Sequence, residues 1–70
     1  MLVTVNGERT DIDDVETVAG LIEYLNIDGR IAVEVNREII PRSQFDRYKI
    51  SNGDIIEIVH AIGGGSTYFK

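Results

Sequence analysis

Cysteine and tryptophan are absent from this 70-residue chain, and histidine, proline and methionine occur once each. Without cysteine the chain can form neither a disulfide nor a thiolate metal site. A single histidine without cysteine partners makes a poor metal site, so we expect no bound metal. A chain this short forms one domain with a small core, which leaves little volume for a deep catalytic pocket. These absences disfavour an enzyme and a metalloprotein.

Basic residues are also scarce, with 7 Lys and Arg against 12 Asp and Glu and a formal net charge of −5. Nucleic acids and anionic membranes attract clustered Lys and Arg, so we expect neither as a partner. No apolar run approaches the length of a membrane span, and the first five residues lack the basic start of a secretion signal. With the missing cysteines, this predicts a cytoplasmic protein whose partners have basic surfaces.

The first half of the chain predicts a β-hairpin followed by a helix. Alternating apolar residues indicate strands over 1–5 and 8–12, and Asn6-Gly7 between them is a strong hairpin signal because both turn positions need positive φ. Thr17 is a plausible N-cap of an amphipathic helix. The apolar face of that helix comprises Val18, Leu21, Ile22 and Leu25.

The second half predicts three more strands, over 31–35, 38–40 and 55–62. Pro41 cannot donate a hydrogen bond to a sheet, so the fourth strand is short and lies at an edge. Phe45 is expected to anchor the following irregular segment to the core. The order β-β-α-β-β-β predicts an α+β fold in which one helix packs on a mixed sheet of four or five strands. With the first and last strands central and parallel, this arrangement is the ubiquitin-like β-grasp.

Three glycines, Gly63, Gly64 and Gly65, follow the last predicted strand and precede the extension 66–70. We therefore predict a folded domain over 1–62 and a flexible tail over 63–70. Glycine has no side chain, so such a tail can enter a narrow channel in a partner. The alternative is a frayed terminus without a function.

Several motifs resemble the ThiS-type sulfur carriers of thiamine biosynthesis. They are Ile-Ile-Pro-Arg at 39–42, Asn-Gly-Asp-Ile-Ile-Glu-Ile-Val at 52–59 and Ile-Gly-Gly-Gly at 62–65. Val5-Asn6-Gly7 and Thr17-Val18 also fit, so the resemblance extends from Met1 to Gly65. The MoaD-type small subunits of molybdopterin synthase share the fold and the tail, and we rank them second.

The resemblance implies a carrier that is not itself an enzyme. An E1-like, ThiF-like adenylyltransferase would use ATP to activate the carboxylate of Gly65, which follows Gly64 and Gly63. A persulfide-delivering system would convert the adenylate to a thiocarboxylate, and a ThiG-like thiazole synthase would take the sulfur. No cofactor would be bound to the carrier, because ATP belongs to the activating enzyme.

A carrier must also dock on its partners. If Ile56 and Ile58 face the helix, the alternate residues of the last strand face outward and, with the first strand, offer an apolar patch. Arg42 corresponds to the Pro-Arg pair of the family, which implies a partner contact or a pairing with a nearby carboxylate. The predicted partner-docking residues are Leu2, Arg42, Val59, Ala61 and Ile62.

The chain departs from the family at its end, because the diglycine is there the C-terminus whereas here Ser66–Lys70 follow it. Gly65 therefore ends in an amide that cannot be adenylylated. We favour removal of Ser66–Lys70 by a tail-processing protease. Two alternatives stay open: a divergent copy that no longer transfers sulfur, and Lys70 as the working terminus.

Other functions also stay open at this point. The receiving pathway could be molybdopterin or sulfur amino-acid synthesis instead of thiamine synthesis. The chain could instead be a β-grasp interaction module with an incidental tail, or a modifier conjugated to lysines through Gly65.

Overall fold

The computed structural model describes residues 1–62 and 67–69, with backbone alone for 61–62 and 67–69. The elements are β1 Leu2–Val5, β2 Glu8–Asp11, α1 Val18–Tyr24, β3 Ile31–Val35, β4 Glu38–Ile40, a 3₁₀ helix Arg42–Gln44, β5 Ile55–Ile62 and β6 Thr67–Phe69. The sheet order is β2-β1-β5-β3-β4, and β6 also pairs with β5. β1 and β5 run parallel in adjacent positions, which confirms the β-grasp prediction.

The hairpin predicted at Asn6-Gly7 forms, and a second tight hairpin joins β3 to β4 at Asn36-Arg37. Asn6 and Gly7 have φ of 49° and 85°, and Asn36 and Arg37 have φ of 52° and 70°. Positive φ at both positions gives a turn whose twist matches that of the strands it joins. Val5 accordingly pairs with Glu8 across the first hairpin.

The helix covers one face of the sheet and is fixed at its start by Thr17, whose Oγ1 accepts a hydrogen bond of 3.1 Å from the Gly20 N–H. Phe45 is partly buried against the core, and its carbonyl accepts a hydrogen bond of 2.8 Å from Ala19. In the described ranges, no helix has the length and apolar character that crossing a membrane requires. The buried hydrophobic residues are Val3, Ile12, Val15, Val18, Leu21, Val33, Val35, Ile40, Ile50, Ile56 and Ile58.

One strand differs from the prediction. The sequence pattern assigns the extension to a flexible tail, whereas in the structure Thr67–Phe69 pairs antiparallel with β5 as β6. These residues are β-branched or aromatic and suit a strand. β1 pairs with β5 only at Ile55 and Ile56. The backbone at the end of β5 can therefore pair with an additional strand on that side.

Candidate functional site

The face of the sheet opposite α1 carries the outward-pointing residues of β5. Ile56 and Ile58 are only 0% and 4% exposed and point toward the helix. Ile55, Glu57 and Val59 alternate with them and lie on the other face. The predicted orientation of β5 is therefore confirmed for its described side chains, and we call this side of the sheet the outer face.

Exposed apolar side chains concentrate on the outer face. In the described part of the chain, the exposed large hydrophobic residues are Leu2 at 37%, Tyr24 at 51%, Ile39 at 70% and Ile55 at 55%. Tyr24 belongs to α1, and the other three lie on the outer face. Ile39 and Ile55 are not among the predicted docking residues. Each directly precedes a buried isoleucine, so the alternation within β4 and β5 could have placed both outside.

The structure does not bring Leu2 and Val59 together, although they share the outer face. Thr4 pairs with Ile55 in the parallel register of β1 and β5, so Leu2 lies level with Gly53. The Gly53 N–H donates a hydrogen bond of 2.7 Å to the carbonyl of Leu2. Val59 lies six residues beyond Gly53, mostly along β5, which corresponds to at most about 20 Å. Leu2 and Val59 therefore contribute to different ends of the outer face.

The other predicted docking residues lie near the far end of the sheet or beyond it. Ala61 and Ile62 continue β5, where the backbone alone is described. Arg42 is exposed and begins the 3₁₀ helix that follows β4. The ion pairs in the described ranges join the Met1 amino group to Asp11 and Asp46 to Arg47. Arg42 is thus not held by a carboxylate of the described chain, and its partner contact stays a prediction.

A pair of carboxylates occupies the centre of the outer face. Glu34 on β3 lies directly opposite Glu57 on β5, and Ile39 on β4 lies opposite Glu34. Both glutamates are half-buried. They line a depression of about 510 Å³ together with Asn36, Arg37 and Ile55.

β6 pairs with the far end of β5, from His60 to Ile62. His60 pairs with Ile31 of β3 and with Phe69 of β6, so β6 lies on the side of β5 that faces β1. Ile62 pairs with Thr67. The pairing therefore continues to the last residue before the glycines.

His60 has a structural contact. Its side chain is exposed, and its Nε2 lies 3.1 Å from the carbonyl oxygen of Asp28. This contact joins β5 to the loop after α1. Residues 1–62 and 67–69 contain no group of three or more His, Cys, Asp or Glu that could hold a metal ion.

The predicted carrier residues Gly63, Gly64 and Gly65 lie outside the described residues, as do Ser66 and Lys70. The assignment of Gly65 as the site of activation therefore stays a prediction.

Comparison with known proteins decides the family. The model of the ThiS family matches residues 3–65. The chain belongs to the ThiS family. It is similar to the sulfur carrier protein ThiS of Bacillus subtilis strain 168, with 36% identity over 53 residues, 74% of this chain and 80% of that relative.

Other relatives extend this ThiS-family likeness. The crystal structure of the thiamine biosynthesis protein ThiS from Geobacter metallireducens has 33% identity and a TM-score of 0.81, covering 93% of this chain and 100% of that one. A thiazole synthase of Paramagnetospirillum magneticum is 42% identical over 67 residues, or 94% of this chain. The chain spans only 21% of that thiazole synthase.

Proposed function

We propose that the chain is a sulfur carrier of thiamine biosynthesis whose working end is the carboxyl group of Gly65. The observation that carries the proposal is the match to the ThiS family, whose last matched residue is Gly65. The proposal is supported by a relative named as a sulfur carrier protein and by one named as a thiazole synthase.

The chemistry follows from the weak reactivity of a carboxylate. A carboxylate oxygen of Gly65 attacks the α-phosphorus of ATP, pyrophosphate leaves, and the acyl carbon becomes a good electrophile. A persulfide sulfur then displaces AMP to give an acyl disulfide, and a thiol reduces its S–S bond to release the thiocarboxylate. The thiocarboxylate passes its sulfur to thiazole synthase. An E1-like adenylyltransferase and thiazole synthase supply the catalysis, whereas the carrier supplies the carboxylate and binds no cofactor.

The folded body acts in this proposal as the part that partners bind. β5 crosses the centre of the outer face and continues directly to Gly63. A partner bound on the outer face lies beside the start of the tail. The exposed side chains of Ile39 and Ile55 support this use of the face, because apolar surface rimmed by polar residues marks interaction sites.

The extension Ser66–Lys70 must be removed before this chemistry can begin, since Gly65 of the full chain is followed by a peptide bond. We propose that a protease cleaves after Gly65. Intact-mass spectrometry of the protein from its native cell tests this step. A carrier population made only of full-length chains, in a cell that makes thiamine through it, would contradict cleavage.

The transfer itself is tested with two purified forms, one full-length and one ending at Gly65. Each is incubated with the adenylyltransferase of its own cell, ATP and labelled pyrophosphate. We expect label exchange into ATP with the Gly65-ended form alone. A form ending at Gly64 is the matched control. Addition of a persulfide source and a thiol reductant should then replace one oxygen of the Gly65 carboxylate by sulfur, which intact mass detects.

A second candidate function is a β-grasp interaction module that transfers no sulfur. The pairing of Thr67–Phe69 with β5 favours it, because the extension takes part in the sheet. Failure of both forms to exchange pyrophosphate would favour this module. An isopeptide-linked product instead of a thiocarboxylate would indicate a protein modifier.

A further inference from the structure

Apolar side chains flank the two opposed carboxylates on the outer face, with Ile39 and Ile55 exposed and Val59 half-buried. Ile39 lies opposite Glu34 on the neighbouring strand. Ile55 and Val59 stand two residues before and after Glu57, on the same side of β5. We call this surface the glutamate-pair face and define it by Glu34, Ile39, Ile55, Glu57 and Val59.

The two carboxylates have no cationic partner in the described chain. Like charges directly opposite each other in an antiparallel pair repel, since their Cβ atoms are only about 5 Å apart. The ion pairs and side-chain hydrogen bonds of residues 1–62 include neither Glu34 nor Glu57. Arg37 lines the same depression without pairing with either carboxylate. The fold therefore holds two negative charges together without neutralising them.

A cation from outside turns this repulsion into attraction. A guanidinium placed between two carboxylates can donate to both at once. A metal ion is a poor occupant, because the described residues offer no third acidic, His or Cys ligand here. The exposed Ile39 and Ile55 suit aliphatic neighbours of the incoming cation. The face thus fits a protein surface that presents one basic side chain among apolar ones.

We propose that the glutamate-pair face docks thiazole synthase, with one arginine or lysine of that enzyme inserted between Glu34 and Glu57. This inference rests on the proposed function. β5 leads from the face toward the glycines, and Gly65 follows Glu57 by eight residues, so the sulfur-bearing end is within chain reach of an enzyme docked there. The likeness to a segment of a longer thiazole synthase chain, of which this chain spans 21%, favours that enzyme as the occupant.

Calorimetric titration of the full chain into the thiazole synthase of its own cell tests the inference. Glu34→Gln and Glu57→Gln keep the side-chain shape and remove one charge each. We expect each to weaken binding about tenfold or more and to reduce its salt dependence. Glu8→Gln is the matched control, because Glu8 pairs with Val5 at the hairpin and lies off this face. It should bind like the parent.

The apolar rim is tested in the same titration. Ile39→Ser and Ile55→Ser should weaken binding without changing its salt dependence, because they remove apolar contact and no charge. Tyr24→Ser is the matched control, since it removes an exposed side chain from α1 on the opposite layer. It should leave the affinity unchanged.

Two results would overturn the inference: no binding by the parent chain, or Glu34→Gln and Glu57→Gln binding like Glu8→Gln. Weaker binding in the isoleucine variants alone would likewise overturn the cation contact. Sulfur loading of the Gly65-ended form is measured separately with the adenylyltransferase. A loaded carrier that fails these binding tests contradicts the docking inference alone, whereas a carrier that never loads contradicts the proposed function.

Discussion

The side chain of Asn6 pairs with the backbone of Ile58 as a strand residue would. Its Oδ1 accepts a hydrogen bond of 2.7 Å from the Ile58 N–H, and its Nδ2 donates one of 3.1 Å to the Ile58 carbonyl. The backbone N–H of Asn6 also donates to Ile56 at 2.9 Å. Asn6 thus has two roles. Its backbone forms the hairpin turn, and its side chain pairs with β5 at Ile58, beyond the last residue of β1.

Replacing Asn6 should separate these two roles. Asn6→Gly keeps the positive φ but leaves both polar groups of Ile58 without this partner, so we expect a loss of about 1–3 kcal/mol of unfolding free energy. Asn6→Ala adds the strain of a positive φ, roughly 1 kcal/mol more. Urea unfolding of the three proteins measures both steps.

Asn26 provides the control for this pair of variants. It also has a positive φ, of 57°, and in the described chain its side chain takes part in no hydrogen bond. Asn26→Gly should therefore change the unfolding free energy by no more than about 0.5 kcal/mol. An equal loss of unfolding free energy in Asn26→Gly and Asn6→Gly would show that the hydrogen bonds of the Asn6 side chain to Ile58 do not stabilise the fold.

Local rules explain why much of the fold could be predicted. Asn6-Gly7 fixes a hairpin by its φ preference, and Pro41 limits β4 to an edge. The spacing of Val18 and Leu21 places both on the buried face of α1. Each inference needs only residues close together in the chain.

Long-range pairing explains what the sequence did not reveal. The contact between Asn6 and Ile58 joins residues 52 positions apart. The opposition of Glu34 and Glu57 depends on the register between β3 and β5, which alternation alone leaves open. The distance between Leu2 and Val59 could not be predicted for the same reason, because it depends on the register of the parallel pairing between β1 and β5.

Gly20 is a place where the helix can be strengthened. A Cβ added there would lie 3.5 Å from Thr17 Oγ1 and 3.7 Å from Val15 Cγ1, which is ordinary contact. Gly20→Ala should raise the unfolding free energy by about 0.5–1 kcal/mol, because it reduces the freedom of the unfolded chain. Gly53→Ala is the contrasting variant: the added carbon meets open space, but φ is +90°. It should lower stability, and equal effects at both glycines would contradict this explanation.

The opposed glutamates should cost stability in the free protein. Glu57→Gln removes the repulsion from Glu34, so we expect the unfolding free energy to rise by about 0.2–1 kcal/mol at low salt. The gain should shrink as salt increases, because the charges of these half-buried but solvent-accessible side chains are then partly screened. Glu8→Gln, opposite the uncharged Val5, should show no such salt-dependent gain. A destabilised Glu57→Gln protein would contradict the repulsion.

Removal of the extension should loosen the end of β5. β3 pairs with β5 only as far as His60, so Ala61 and Ile62 pair with β6 alone among the described strands. In a form ending at Gly65, backbone amides of residues 61–62 should exchange with deuterium faster than in the full chain. Ile56 and Ile58 should keep their protection, because β3 and Asn6 still hold them.

A full-length variant separates loss of the strand from loss of chain length. Tyr68→Pro keeps all 70 residues but removes a backbone N–H and fixes φ away from the extended value. We expect it to expose residues 61–62 to exchange much as truncation does. Unchanged exchange at these residues in both proteins would show that Thr67–Phe69 does not protect β5. Faster exchange in both would mean that cleavage after Gly65 also frees the end of β5, which leads into the glycines. Cleavage would then have two effects: it would create the reactive carboxylate and make the tail accessible to its partners.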